Sequence, residues 1–356
     1  MLVGRDAEIQ AFRRGLANGS GDPARAMLLL GARGTGKTVL LNALEDIARE
    51  AGWSVVSDSA HPGLVEELTD TVMPELLAAL NLRTVTRRVT GVSASVLGVG
   101  GSISSAVDED YPIKASFRST LTTLALALDR QDSGVLLSID EVHRAEQGEL
   151  RQFFHAVQHA FREGLPVAVV AAGLPSAVSD LLNDDVLTFL RRAQRWSLRE
   201  VPDAFVRSAL RDPIVAAGRV VTEDALAVAV PAVRGYPFMI QIVGYELWAT
   251  APEVEVIDAD QAAVAIPRAF VQVSQLVVEP ELADLTAPDR RFLAAMADEE
   301  PGPVSILAIK QRMGVTPSYA NKYRARLIAA EILEPAGRGR VRFAVPFLRE
   351  YLRHDG

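Results

Sequence analysis

The 356-residue chain contains no cysteine, which excludes disulfides, thiolate metal centres and cysteine nucleophiles. A chain without thiols fits a reducing compartment, and a cytoplasmic protein is expected. Aromatic residues are scarce, at 6%, so the core must be built mainly from aliphatic side chains. No apolar run reaches the roughly 18 residues of a membrane span. The strongest, Leu165 to Leu174, falls well short, and the N-terminal stretch MLVGRDAEIQ carries charge from Arg5 onward, unlike a secretory signal. No membrane partner is expected. Low-complexity tracts and long internal repeats are also missing, which removes solenoid architectures.

What is present is enough apolar material for two or three packed units, since 49% of residues are hydrophobic and 23% charged. The formal charge is −8, but it is unevenly spread. Between Lys310 and Arg342 eight Lys or Arg stand against two Glu, a local excess of +6 that leaves −14 to the rest. A basic contact surface near the C-terminus follows.

The first half alternates short apolar runs with amphipathic stretches, the pattern of an α/β fold with a parallel sheet and crossover helices. Ala26 to Leu30, Ser54 to Ser57, Val135 to Ile139 and Pro166 to Ala172 read as buried strands. Between the second and third, Arg87 to Ala106 is rich in β-branched and small residues around Gly100 and Gly101. It reads as an inserted β-hairpin, either a solvent-side element or a contact surface.

After Pro202 the spacing turns helical, with Phe205, Val206, Ala209 and Leu210, then Leu226, Val230 and Val233, placed for one buried face. From about Leu285 a third pattern of three helices and an alternating VRFAV strand suggests a winged helix-turn-helix. The expected division is a P-loop core over 1–200, a helical lid over 201–281 and the winged helix over 282–356.

Gly31-Ala32-Arg33-Gly34-Thr35-Gly36-Lys37-Thr38 satisfies GxxxxGK[ST] between a strand and the helix Val39 to Glu50. Such a loop turns backbone N–H groups and a helix dipole toward phosphate. Lys37 supplies charge to the β and γ phosphates, and the Thr38 hydroxyl ligates Mg²⁺. The strand Val135 to Ile139 then ends in Asp140-Glu141. Asp140 is expected to hold the metal shell and Glu141 to act as base toward the attacking water. A guanine-reading NKxD pattern is absent, so the expected ligand is ATP with Mg²⁺, and the expected activity an ATPase, slow or fast.

With these motifs the chain resembles the AAA+ and STAND branch of P-loop ATPases, especially archaeal-type ATPases and the origin-recognition initiator-like group. Leu2-Val3-Gly4-Arg5 followed by Glu8 is similar to that family's N-terminal box, which implies that Val3, Gly4 and Arg5 lie beside the adenine. Gly235-Tyr236-Pro237 is similar to the lid's GxP element, which implies a contact of Pro237 near the base. Two departures stand out. The strand Val167 to Ala172 runs into Gly173-Leu174-Pro175, where many members carry a polar sensor. The position of a second-sensor arginine falls near Phe238, with Arg234 close by. Both point to slow turnover or a nucleotide-held switch. Arg191, Arg192 and Arg195 lie where such ATPases offer an arginine finger to a neighbouring subunit, which implies self-association; a solvated basic helix is the alternative.

In the C-terminal module Thr316-Pro317 starts a helix on which Ala320, Tyr323 and Leu327 define the buried face. Ser318, Lys322 and Arg326 point away, with Asn321 at the margin, a set of donors suited to phosphates and base edges of DNA. Arg338, Arg340 and Arg342 are expected on one face of a strand, where they could grip a phosphate backbone. Docking of a protein partner remains the other reading. His155 and His159 share a helix face but lack the pattern of a zinc site.

Overall fold

The computed structural model describes residues 3–80, 115–175, 188–250 and 252–354. The hairpin expected over Arg87 to Ala106 lies outside the described residues.

Five parallel strands, β1 (Ala26–Leu30), β2 (Ser54–Ser59), β3 (Val135–Asp140), β4 (Val167–Gly173) and β5 (Gln194–Ser197), form a sheet in the order β2-β3-β4-β1-β5. Every residue of β3 and β4 is buried, as expected of strands covered on both faces. The four strands expected from sequence are present within a residue or two. The fifth, Gln-Arg-Trp-Ser, alternates between half-buried and exposed positions at the sheet edge. It has no apolar run to announce it.

Helices α1 (Asp6–Asn18) and α2 (Lys37–Glu50) cover one face, where Phe12, Leu40 and Leu44 meet Leu29 and Val170. Helices α3 (Phe117–Asp129) and α4 (Gln147–Arg162) cover the other, with Phe117 and Phe153 against Leu137 and Ile139. Buried Glu45 on α2 ties the layers together. It accepts from Ser138 of β3 at 2.7 Å and Ser57 of β2 at 2.5 Å, and pairs with Arg49 at 2.9 Å.

A second apolar cluster belongs to four helices, α5 (Asp203–Ala216), α6 (Glu223–Val233), α7 (Pro237–Ala249) and α8 (Ala259–Val273), bridged by β6 (Val220–Val221) and β7 (Val256–Ile257). The Thr222 hydroxyl caps α6, and an Asp258–Gln261 capping box starts α8. The helical run Ala259–Leu282 is long and apolar enough to cross a membrane by length and composition. Its Ala262, Ala265, Ala269 and Val273 are packed into this cluster, while most of its other positions are not buried.

The C-terminal unit follows as α9 (Ala287–Ala297), β8 (Val304–Ser305), α10 (Ile306–Met313), α11 (Pro317–Ala329), β9 (Leu333–Pro335), β10 (Arg340–Phe343) and α12 (Leu348–His354). Its strands form an antiparallel sheet in the order β8-β10-β9. A third cluster, including Phe292, Ile309, Ala320, Leu327 and Val341, fills it. Phe347 leaves this unit to pack into the second helical cluster, 5.7 Å from Tyr236 and 5.4 Å from Phe270 between ring centroids.

Candidate nucleotide site

The loop Gly31 to Thr38 leaves the carboxyl end of β1 and enters α2, at the edge where open α/β sheets bind ligands. Lys37 is nearly fully buried, and its ammonium donates to the carbonyls of Gly31 and Ala32, each at 3.0 Å. Burial lowers the Lys37 pKa, and the carboxylates of Glu141 and then Asp140 oppose that shift. The cation thus sits in a poorly solvated place, where its field on a phosphate is strong.

Thr38 and Asp140 converge: the hydroxyl donates to Asp140 Oδ2 at 2.5 Å. The other oxygen, Oδ1, accepts from the Glu141 backbone N–H at 2.8 Å. Glu141 holds φ 52, a left-handed conformation that is uncommon for glutamate and turns the chain sharply at the strand end. Its Oε2 lies 3.0 Å from His143 Nε2. The hydroxyl and carboxylate are hard oxygen donors at a helix N-terminus, a set that suits Mg²⁺ completed by phosphate and water.

A cavity of about 450 Å³ opens beside the loop. Val3, Arg5, Gly36, Val39 and Pro237 line it, so most of the residues assigned to the base converge there. Arg5 is held by a hydrogen bond to the Arg199 carbonyl at 2.9 Å, and burial lowers its pKa. Gly4 stands behind, packed against Phe205. The opposite wall was not expected from sequence. It comes from Leu210, Pro213 and Ile214 of α5 and from Gln241, Tyr245 and Trp248 of α7. The signal was available: Gln241, Tyr245 and Trp248 fall at i, i+4 and i+7, one helix face, and both aromatics remain substantially exposed.

Tyr236, the middle residue of the GxP element, roofs the loop. Its hydroxyl lies 3.4 Å from the Arg33 carbonyl, and a Cβ at Gly34, whose φ is 73, would stand 1.8 Å from that hydroxyl. Only glycine fits. Burial, with a contribution from Glu281, pushes the Tyr236 pKa up to about 12. Gly235 is equally constrained, with φ 66 and its carbonyl accepting from the Val201 N–H at 2.7 Å.

Other residues singled out in the sequence lie apart from this centre. Arg234 forms an ion pair with Glu350 and lies over Phe347 of the C-terminal unit. Arg191, Arg192 and Arg195 are exposed on or beside edge strand β5. On α11, Ser318, Asn321, Lys322 and Arg326 are exposed as the periodicity requires, while Ala320 and Leu327 are buried. Arg326, however, pairs with buried Asp289 at 3.2 Å.

The three-arginine strand face needs revision, because β10 begins only at Arg340 and Arg338 lies in the preceding turn. Arg342 pairs with Glu334, and both line a cavity of about 680 Å³ that Gly31, Ala32 and Thr35 bound from the loop side. The strand end from Arg342 therefore borders the nucleotide loop.

Residues 1–170 match the family described as AAA ATPase domain, and residues 275–352 match a Domain of unknown function (DUF8462). No curated protein matches the chain. The Walker-type ATPase PABY2304 of Pyrococcus abyssi superposes with a TM-score of 0.66 at 15% identity, covering 99% of this chain and 96% of that one. Cdc6p from Pyrobaculum aerophilum superposes at 0.51 with 17% identity, covering 99% and 93%. At such identities the likeness is one of fold. The P-loop, the Thr38–Asp140 pair and the AAA ATPase domain match all fall within residues 1–170, which therefore resemble a P-loop ATPase domain in sequence as well as in fold.

Proposed function

We propose that this protein is an ATP-hydrolysing switch in which nucleotide held between the core and the lid governs the placement of a C-terminal winged helix that binds duplex DNA. The division is core over 1–200, lid over 201–281 and winged helix over 282–356. The observation that carries the reading is a chain of contacts that joins all three parts beside one loop: Arg33 pairs with Glu281, and Tyr236 touches both the Arg33 carbonyl and Phe347.

In this reading the backbone from Gly31 to Val39 cradles the phosphates and Lys37 neutralises them. Thr38 and Asp140 would hold Mg²⁺, which when bound adds charge neutralisation at the β and γ phosphates. Glu141 accepts the proton of the attacking water, with His143 fixing its carboxylate. The end of β4 offers only Ala171, Ala172 and Gly173. Among the described residues no polar side chain stands at that strand end to position the water, which favours slow turnover. An arginine from a second copy, Arg191, Arg192 or Arg195, would supply the missing transition-state charge and make activity depend on self-association.

DNA is favoured by the surface of α11 and the β9–β10 turn. Lys322, Arg338 and Arg340 are exposed and make no ion pair among the described residues. Ser318 and Asn321 add uncharged donors beside Lys322. The alternative, a signalling switch whose C-terminal unit binds a protein, is favoured by the internal pairing of Arg326 and Arg342, which removes two cations from the basic face.

Fluorescence anisotropy of labelled duplex DNA at two salt concentrations separates the two readings. DNA binding predicts salt-sensitive affinity whose slope falls by about 3 when Lys322, Arg338 and Arg340 are replaced by alanine, near one unit per phosphate contact. Negligible DNA affinity in both ADP and ATP-analogue states would favour the protein partner.

A further inference from the structure

Glutamates of two units border the nucleotide loop, Glu281 from the end of the lid and Glu331 and Glu334 from the C-terminal unit. Glu281 pairs with Arg33 inside the GxxxxGK[ST] segment. Glu281, Glu331 and Glu334 all line a cavity of about 390 Å³ that Ala32 and Arg33 close from the loop side. The segment from Lys310 to Arg342 holds only two acids among its eight cations, and both of them, Glu331 and Glu334, are placed here.

Glu331 has a second peculiarity. It follows the cap of α11 with φ 60, and its N–H bonds to the Ile328 carbonyl at 3.0 Å. This is the left-handed helix-end position where glycine relieves strain. Glutamate there keeps a carboxylate before the loop in spite of its backbone. Its charge reaches Lys37, where it raises the pKa against the dominant lowering by burial, after Glu141 and Asp140, while Arg33 lowers it.

We propose that Glu281, at the end of the lid, and Glu331, of the C-terminal unit, form an electrostatic latch that holds both against the P-loop around Arg33, and that the triphosphate of bound ATP releases it. The ligand competes for Arg33 and repels the carboxylates of Glu281 and Glu331 that border the loop, whereas Glu334 is neutralised by Arg342. A diphosphate carries less charge and opens the latch less. The inference rests on the proposed nucleotide switch and names how its two parts communicate. Linkage makes the effect reciprocal: if ATP disfavours docking, docking disfavours ATP, and the apparent affinity is reduced by the undocked fraction.

The test uses the full chain, with ADP and a non-hydrolysable ATP analogue titrated by calorimetry into the wild type, the Glu281→Gln/Glu331→Gln variant and Glu331→Gly. The last removes one carboxylate while supplying the residue that the backbone favours, so its folding is safe. The latch predicts that affinity for the ATP analogue rises on the order of fivefold in the double variant, the low end of common site-to-site couplings. ADP affinity should rise less, and Glu331→Gly should shift in the same direction. Wild-type nucleotide binding with an unchanged ATP-to-ADP ratio in both variants would overturn the latch and leave the nucleotide site standing. Failure of the wild type to bind either nucleotide would overturn the switch beneath it as well.

Discussion

The Thr38 hydroxyl and the Asp140 carboxylate meet at 2.5 Å, although 102 residues separate them in the chain. One opens the helix after β1 and the other ends β3, with β4 between those strands in the sheet. The parallel order brings both to the same edge, so the site is a consequence of topology and two local motifs.

Replacing Glu141 by glutamine keeps the size of the side chain and removes its basicity. Binding of ATP should persist within about threefold, while phosphate release falls by about 100-fold or more, the usual contribution of a general base. Titration of ATP together with a phosphate-release assay checks both halves. Unchanged turnover would remove Glu141 from the chemistry.

Gly34→Ala tests the roof. The added methyl cannot coexist with the Tyr236 phenol, and φ 73 disfavours any side chain. A loss of about 2 kcal/mol is expected from overpacking and backbone strain. In Gly34→Ala/Tyr236→Ala the clash disappears, so the double variant should lose less than the sum of the singles; denaturant unfolding of all four proteins gives the comparison.

Tyr236 also predicts a pH dependence. Its folded pKa of about 12 exceeds the ordinary value of 10.0. The folded state therefore holds the phenolic proton more tightly, and the associated stability is complete below pH 10. It is lost as pH rises through 12, by an amount of about 3 kcal/mol. In unfolding across pH 9 to 12 the wild type should lose stability relative to Tyr236→Phe as pH rises above 10; parallel curves would contradict the burial argument.

Glu45→Ala addresses the core rather than the site. It strips the acceptor from the buried Ser138 hydroxyl and from Ser57, and frees Arg49. An unsatisfied buried donor costs about 2 kcal/mol. The expected outcome is a lower midpoint in urea with an unchanged slope.

Much of this arrangement was legible in the sequence where one local rule decides it. The strands β1 to β4 announce themselves because burial on both faces demands continuous apolar runs. The GxxxxGK[ST] loop and the Asp140-Glu141 pair are read from spacing alone. Edge strand β5 escaped because half-exposed Gln194, Arg195, Trp196 and Ser197 need no apolar pattern. Charge composition also misled in part. Arg326 and Arg342 count as basic surface in a sequence, yet their partners Asp289 and Glu334 lie 37 and 8 residues away and are found only by folding. The contact between Arg33 and Glu281 spans 248 residues and has no local signature at all.

The central claim is that occupancy of the P-loop changes where the C-terminal unit sits. Because the chain has no cysteine, Gln152→Cys on α4 and Gln311→Cys on α10, both exposed, can carry a donor–acceptor pair without competing thiols. Energy transfer between them should fall on addition of a non-hydrolysable ATP analogue and fall less with ADP, with no change in a Lys37→Ala background. Equal transfer in all states, with binding of both nucleotides demonstrated on the same labelled protein, would contradict the switch.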